Sequence, residues 1–168
     1  MTTLNPVPPH IDTRTMFDPV FSKVLVAYDG SDPSKRALDH AAKMAAMFEG
    51  ELVILTVVPK VSVPVYSNAE LGAQSMDIAS LQERMRETYG QSLKKAEEEV
   101  KELYPHLKVE AILQEGRPST LIVSEADRLG VSLIVMGSRG LGGITGWILG
   151  STSRQVVDLC TKAILIVK

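Results

Sequence analysis

Only one cysteine, Cys160, occurs among the 168 residues, so the chain cannot form an internal disulfide. We expect this residue to be a buried apolar side chain rather than a reactive thiol, and so little cysteine suits a reducing compartment. No apolar run approaches the roughly 20 residues of a membrane span, and the N-terminus lacks a charged start followed by an apolar core. We therefore expect a cytoplasmic protein with no membrane partner.

The net charge is also small. Eighteen lysines and arginines stand against 20 aspartates and glutamates, which gives −2 with neutral histidines. Such a weak field does not attract polyanions, so nucleic acid is not an expected partner. Hydrophobic residues make up 45% and charged residues 23%, which is typical of a globular domain.

Two common phosphate-binding motifs are missing. A Walker A loop needs Gly-Lys-Ser/Thr, which occurs nowhere, and the position of a dinucleotide fingerprint after the first strand holds only Gly30. The histidines, His10, His40 and His106, form no pair with the spacing of metal ligands. None of them stands out as a general base.

The chain divides into an irregular start and a regular remainder. Four of the nine prolines fall within the first 20 residues, where no hydrophobic period persists. We predict a flexible N-terminal arm over residues 1–20 and one folded domain over residues 21–168.

Short apolar runs alternate with helical patterns throughout this domain. Apolar residues at three- and four-residue steps predict helices that begin at Ser31 or Asp32, at Leu81, at the GRPST segment and at Ser151. Residues 59–80 have no period, so we predict a mobile flap there. The predicted strands are residues 24–28, 52–58, 109–113, 132–136 and 163–167.

This alternation predicts an α/β fold with right-handed crossovers. Glu110 lies inside the third apolar run, which places that strand at a sheet edge. Ligands of such sheets bind beyond the carboxyl ends of the strands, where the strand order reverses. The first strand leads into Asp29 and the fourth into Gly137 and Gly140, so we predict that both endings line one crevice.

The segment MGSRGLGGITGWILGSTS, residues 136–153, contains six of the 12 glycines. Glycine lets backbone N–H groups converge closely on a phosphate, and the helix after Gly150 would add the free N–H groups and hydroxyls of its first residues. Arg139 adds a positive charge. This pattern predicts an anion site, while a flexible loop followed by an ordinary helix cap remains the alternative.

The spacing of Gly137, two residues, Gly140, nine residues and Gly150-Ser151 resembles the ATP-binding signature of the universal stress protein family. The resemblance extends over about residues 22–168 and includes KVLVAYDGS, EGRP, IVMGSRG, ILGSTSRQVV and AILIVK. It implies an open parallel five-stranded sheet of order 3-2-1-4-5, Rossmann-like, with helices on both faces. It also implies an adenine nucleotide in the crevice and a homodimer formed through the C-terminal strand.

Single residues can be matched to roles in the family. Asp29 matches an aspartate near the ribose and the phosphates, so the resemblance implies that it holds Mg²⁺ directly or through water. A turn or cap role for Asp29, a core role for Val57 and a turn role for Gly116 remain open. The positions that match nucleotide contacts are Ala27, Tyr28, Asp29, Val57, Gly116, Met136, Gly137, Arg139, Gly140, Gly150, Ser151, Thr152 and Ser153.

The resemblance implies an ATP-binding, nucleotide-dependent sensor or switch of the stress response. Because the sequence offers no evident general base, we expect slow ATP hydrolysis at most. The alternative is a dimeric stress adaptor that works through protein contacts without nucleotide. A nucleotide-activating ligase of related fold would need a glycine-serine pyrophosphate loop after the first strand, and this loop is missing.

Overall fold

The computed structural model describes residues 21–61, 71–141 and 149–168, so the arm predicted over residues 1–20 lies outside the described residues. The strands are β1 (Lys23–Ala27), β2 (Glu51–Pro59), β3 (Lys108–Gly116), β4 (Leu133–Gly137) and β5 (Ala163–Val167). The helices are α1 (Asp32–Met47), α2 (Leu71–Leu103), α3 (Pro118–Arg128) and α4 (Ser151–Leu159).

All strand pairs are parallel, and the sheet has the order β3-β2-β1-β4-β5, which confirms the predicted topology. Ala27 at the end of β1 pairs with Leu55 of β2 on one side and with Met136 of β4 on the other. β3 is an edge strand, as Glu110 predicted. Since the order reverses between β1 and β4, the crevice of such a sheet lies at their carboxyl ends.

Both faces of the sheet are covered, which explains the unbroken apolar runs in the sequence. Val24 and Val26 of β1 belong to a hydrophobic cluster with α1 and α2. Leu25, between them, belongs to a second cluster with α3 and α4. These three side chains are fully buried, and each contributes about 1.5 to 3 kcal/mol to folding through the area removed from water.

Helix α1 begins at the predicted place. Its N-cap is Ser31, whose side chain accepts a hydrogen bond from the Ser34 N–H at 3.3 Å. The Ser34 hydroxyl donates back to the Ser31 carbonyl at 2.8 Å. These bonds satisfy backbone groups at the helix start, and Pro33 in the first turn needs no donor there.

Helix α2 begins at Leu71 rather than at Leu81, so the predicted flap is wrong over residues 71–80; residues 62–70 lie outside the described residues. Extending an existing helix adds one hydrogen bond for each residue fixed, so α2 can continue beyond its amphipathic part without an apolar period. Within the described ranges, no helix is both long and apolar enough to cross a membrane.

Cys160, expected to be buried, is half-buried. It is the C-cap of α4 and packs against the cluster that α3 and α4 share, while its Sγ accepts the Lys162 N–H at 3.3 Å. A residue at the end of a helix has fewer neighbours than one within it, which leaves this side chain partly exposed.

The carboxylate of Glu125 on α3 is nearly buried, with 8% of the side chain exposed, and Arg128 one turn later binds it. The Arg128 Nη2 donates to Oε2 at 2.6 Å, and its Nε lies 3.2 Å from Oε1. The hydrogen bonds from Arg128, together with one from Gln114, lower the pKa of Glu125. The ionised Glu125 therefore contributes to stability above the pKa that this carboxyl group has in the unfolded chain. The contribution is lost as the pH falls through the lower pKa of the folded state.

Replacing Arg128 by Met should lower the free energy of unfolding at neutral pH by about 1 to 3 kcal/mol, because a buried carboxylate then lacks its cation. The loss should shrink as the pH falls through the lowered folded pKa of Glu125, because the carboxyl group then becomes protonated. Urea unfolding at a series of pH values measures this dependence. Lys94→Met removes an exposed pair with Glu98 at 3.8 Å and serves as the control. An equal loss of unfolding free energy at every pH of the series would contradict this account.

Candidate functional site

A cleft of about 700 Å³ opens at the carboxyl ends of β1 and β4. Its size lies within the usual range of small-molecule sites. Every predicted site residue except Gly116 lines it. These residues are Ala27, Tyr28, Asp29, Val57, Met136, Gly137, Arg139, Gly140, Gly150, Ser151, Thr152 and Ser153.

The two walls of the cleft differ in chemistry. The wall on the β2 side is apolar and consists of Leu55, Val57 and Pro59 from β2 with Pro118 and Ile122 from α3. The opposite wall is formed by the turn after β4 and the first residues of α4, which supply backbone donors and two arginines, Arg139 and Arg154. The end of β1 lies between these walls, because β1 is the strand between β2 and β4.

Asp29 joins the ends of β1 and β4. Its Oδ1 accepts the Ser31 N–H at 3.0 Å, and its Oδ2 accepts the Leu141 N–H at 3.2 Å. A Cβ on Gly140 would lie 2.5 Å from that same Oδ2, closer than any real contact allows. A side chain at Gly140 would therefore force the Asp29 carboxylate away from the N–H groups that it accepts.

Ser153 fixes the start of α4 against the end of β4. Its buried hydroxyl donates to the Gly137 carbonyl at 2.8 Å. The sequence suggested that this hydroxyl adds to the anion donors, but its proton is directed at the protein backbone. Its own N–H remains one of the free groups at the start of the helix.

The N-terminus of α4 has no side-chain cap. Gly150 is the N-cap, and the first intrahelical bond runs from the Arg154 N–H to the Gly150 carbonyl at 2.9 Å. The N–H groups of Ser151, Thr152 and Ser153 therefore have no partner within the helix, and these residues line the cleft. An uncapped helix start of this kind suits an anionic ligand.

The peptide groups of Ser138 hold the glycine-rich turn in place. Its N–H donates to the carbonyl of Val167 in β5 at 2.7 Å, and its carbonyl accepts the Gly150 N–H at 2.8 Å. The turn that carries Arg139 and Gly140 is thus bonded both to the last strand and to the cap of α4.

Arg139 lines the cleft and carries a nitrogen without a hydrogen-bond partner among the described residues. This nitrogen, Nε, is buried. A buried donor left without a partner costs about 1 to 3 kcal/mol, so an acceptor supplied by a ligand would relieve this cost. The residues present therefore fit a ligand with anionic oxygens.

No group of three or more His, Cys, Asp or Glu side chains comes together in the described part of the chain. Asp29 is thus the candidate Mg²⁺ ligand by itself. One carboxylate fits this ion, which commonly takes its other ligands from water and from phosphates.

Gly116 lies outside the cleft lining, at the end of the edge strand β3. A Cβ at this position would lie 2.9 Å from Cδ1 of Leu121 in α3. The glycine therefore permits close packing of α3 against the end of the strand.

Sequence reasoning did not identify Tyr89 of α2 as a site residue. The half-buried Tyr89 lines the cleft. Burial raises the pKa of its hydroxyl, and the negative charge of Asp29 raises this pKa further. Tyrosine combines an apolar ring with a polar tip and often lies where a packed surface meets water. This property of the residue type is the feature of the sequence that could have identified Tyr89.

The fold and the cleft together define a doubly wound α/β domain whose switch point presents anion donors opposite an apolar wall. The family model of the universal stress protein family matches residues 21–168. Universal stress protein YxiE of Bacillus subtilis (strain 168) is 36% identical over 150 residues, which are 89% of this chain and 100% of YxiE. The chain belongs to the universal stress protein family.

Solved structures give the same result for the fold. Universal stress protein UspA from Lactobacillus plantarum superposes with a TM-score of 0.77 at 20% identity, over 88% of this chain and 98% of that one. A universal stress protein solved in complex with cAMP is 28% identical, with a TM-score of 0.59, over 88% of this chain and 97% of the other.

Asp29→Asn should lower the pKa of Tyr89, because the substitution removes a negative charge that opposes formation of the phenolate. Burial still keeps the pKa above its ordinary value. The absorbance of the phenolate during an alkaline titration measures the change, and Tyr89→Phe identifies which step belongs to this residue. Asp39→Asn, on the exposed side of α1, is the matched control. An unchanged titration in Asp29→Asn would contradict the geometry.

Proposed function

We propose that the cleft binds an adenine nucleotide, with ATP and Mg²⁺ as its ligands, and that the protein is a nucleotide-dependent sensor or switch of the stress response. One observation carries the proposal: Arg139, whose buried Nε has no hydrogen-bond partner among the described residues, lines the same cleft as the uncapped start of α4. Membership of the family supports it, as does the relative that was solved with cAMP. We also propose that this role is cytoplasmic, as expected from the sequence.

The two walls suit the two ends of a nucleotide. The base would pack against the apolar wall on the β2 side, and the phosphates would accept hydrogen bonds from the turn at Gly140 and from the first N–H groups of α4. Each hydrogen bond to a charged group contributes about 1.5 to 3 kcal/mol, whereas the helix dipole adds only about 0.3 to 1 kcal/mol. The converging donors are therefore the main source of affinity.

Mg²⁺, when bound, would neutralise part of the phosphate charge, and Asp29 is the residue that would hold it. Both carboxylate oxygens of Asp29 already accept backbone N–H groups, which keeps the side chain aligned. The protein therefore supplies an oriented carboxylate at the end of β1.

Efficient hydrolysis is not part of the proposal. No histidine is among the described residues that line the cleft, and His40 and His106 are exposed elsewhere on the surface. Among the described residues that line the cleft, Asp29 is the one carboxylate, and two backbone donors engage it. We therefore propose a turnover number for ATP well below roughly 1 s⁻¹, the lower end of the typical range for enzymes.

Gly140→Val should weaken the binding of ATP with Mg²⁺ by about 100-fold or more, because the new side chain collides with Asp29 and displaces the donors of the turn. Isothermal titration calorimetry of the wild-type and variant proteins measures the effect. Gly130→Asn is the control, since Gly130 (φ +63°) has no atom within 4 Å of an added Cβ and asparagine tolerates its backbone conformation. Wild-type protein that binds no ATP, or a variant that binds it equally well, would overturn the proposal.

A second candidate function, the nucleotide-independent dimeric adaptor, is favoured by the open edge of the sheet. β5 is an edge strand whose Ile164, Leu165 and Ile166 are only half-buried, and the preceding helix leaves Val157 and Leu159 exposed by 45% and 59%. An apolar open edge is suited to pairing with a second copy about a two-fold axis. We propose that homodimers form through this strand under either function.

Ile166→Pro should convert the dimer into a monomer. The Val167 carbonyl accepts a bond from the turn after β4, so the neighbouring Ile166 directs its N–H towards the open side, and proline removes that donor. Ile166→Ala keeps the N–H and controls for the lost side chain. Sedimentation equilibrium measures the mass, and a wild-type monomer, or a proline variant that remains dimeric, would contradict the proposal. A dimer that binds no ATP would favour the adaptor.

A further inference from the structure

Helix α2 presents a row of polar side chains to the rim of the cleft. Gln82, Arg86, Tyr89 and Ser92 follow one another at three- and four-residue steps, so they lie on one face of the helix. Gln82 donates to the last carbonyl of β2 at 3.3 Å, and Arg86 donates to a glutamate near the end of β3 at 2.7 Å. The Ser92 hydroxyl lies 3.5 Å from the hydroxyl of Tyr28, just after β1.

These contacts hold α2 at the ends of three neighbouring strands. Tyr89 lies between Arg86 and Ser92 on this face, about one turn from each, so contacts on both sides fix its height above the sheet. Its hydroxyl makes no hydrogen bond within the described part of the chain, although the side chain lines the cleft. Tyr89 is therefore the residue of this row that lines the cleft with its hydroxyl not hydrogen-bonded to the described residues.

The order of the strands determines which part of a nucleotide would meet this group. The apolar wall belongs to the β2 side and the phosphate donors follow β4, so the sugar between base and phosphates would lie over the end of β1. Asp29 follows β1 at this point, and Tyr89 lies within reach of its charge. The sugar position is thus flanked by a carboxylate and a phenol.

We propose that Tyr89 is a specificity residue whose hydroxyl hydrogen-bonds a ribose hydroxyl, so that the cleft prefers ribonucleotides to deoxyribonucleotides. This inference rests on the proposed nucleotide function and extends it to the sugar. The ionised Asp29 can only accept hydrogen bonds, whereas a neutral phenol can donate as well as accept. A tyrosine hydroxyl keeps its proton at neutral pH, because its ordinary pKa is about 10. Together the two groups complement a pair of sugar hydroxyls.

Calorimetric titration with ATP, 2′-deoxy-ATP and 3′-deoxy-ATP, each with Mg²⁺, tests the inference. We expect wild-type protein to bind ATP about three- to tenfold more tightly than at least one deoxy analogue, which is the effect of one neutral hydrogen bond. Tyr89→Phe should weaken ATP binding by the same factor and leave the affinity for that analogue within about twofold. The preference for the ribonucleotide then disappears.

Tyr104→Phe is the matched control, since this half-buried tyrosine follows α2 and lines a separate groove between α1 and α2. It should bind all three nucleotides as the wild type does. Equal affinities of the wild type for the three nucleotides would overturn the role of Tyr89 while leaving the nucleotide proposal intact. Equal weakening of all three in Tyr89→Phe, in a variant with unchanged thermal unfolding, would also overturn it. A wild type that binds none of them refutes the proposed function and this inference with it.

Discussion

The close approach of Gly140 to Asp29 is the contact on which the site depends. One carboxylate accepts a backbone N–H from its own turn and another from the turn after β4, and only glycine leaves room for this arrangement. The two strands that meet here are neighbours in the sheet although they are distant in the sequence. The contact therefore closes the cleft at the point where the strand order reverses, and it places a negative charge between the apolar wall and the anion donors.

The polar groups at the two ends of the sheet differ in whether they have partners within the described part of the chain. At the amino ends, Glu51 bonds Lys108 and also Lys23, whose Nζ lies 3.1 Å away, and these hydrogen bonds lower the pKa of Glu51. Charges there are paired with one another. At the carboxyl ends, the N–H groups that open α4 and the Nε of Arg139 have no such partners. In a parallel sheet the carboxyl ends of all the strands meet at the same edge, and this is the edge at which ligands commonly bind.

Much of this arrangement follows from the sequence alone. Strands that are buried on both of their faces require unbroken apolar runs. The turn residues Ser31 and Gly150 mark helix starts that the structure contains. The glycine spacing also predicted which residues line the cleft, since the end of β4 and the start of α4 are brought together locally. What the sequence could not show depends on packing between distant elements. Tyr89 has the spacing of a core residue, and only the position of α2 over the sheet directs it to the cleft. Gly116 has the place of a site residue, but its neighbour is Leu121.

The bonds of Ser138 have a mechanical consequence. Its two peptide groups connect the turn at the cleft, the N-cap residue of α4 and the last residue of β5, which lies at the open edge of the sheet. A displacement of the turn by even an ångström would stretch hydrogen bonds to two other elements at once. Ser138 thus links the cleft to the edge strand directly, so a shift of the turn acts on the hydrogen bonds that hold β5.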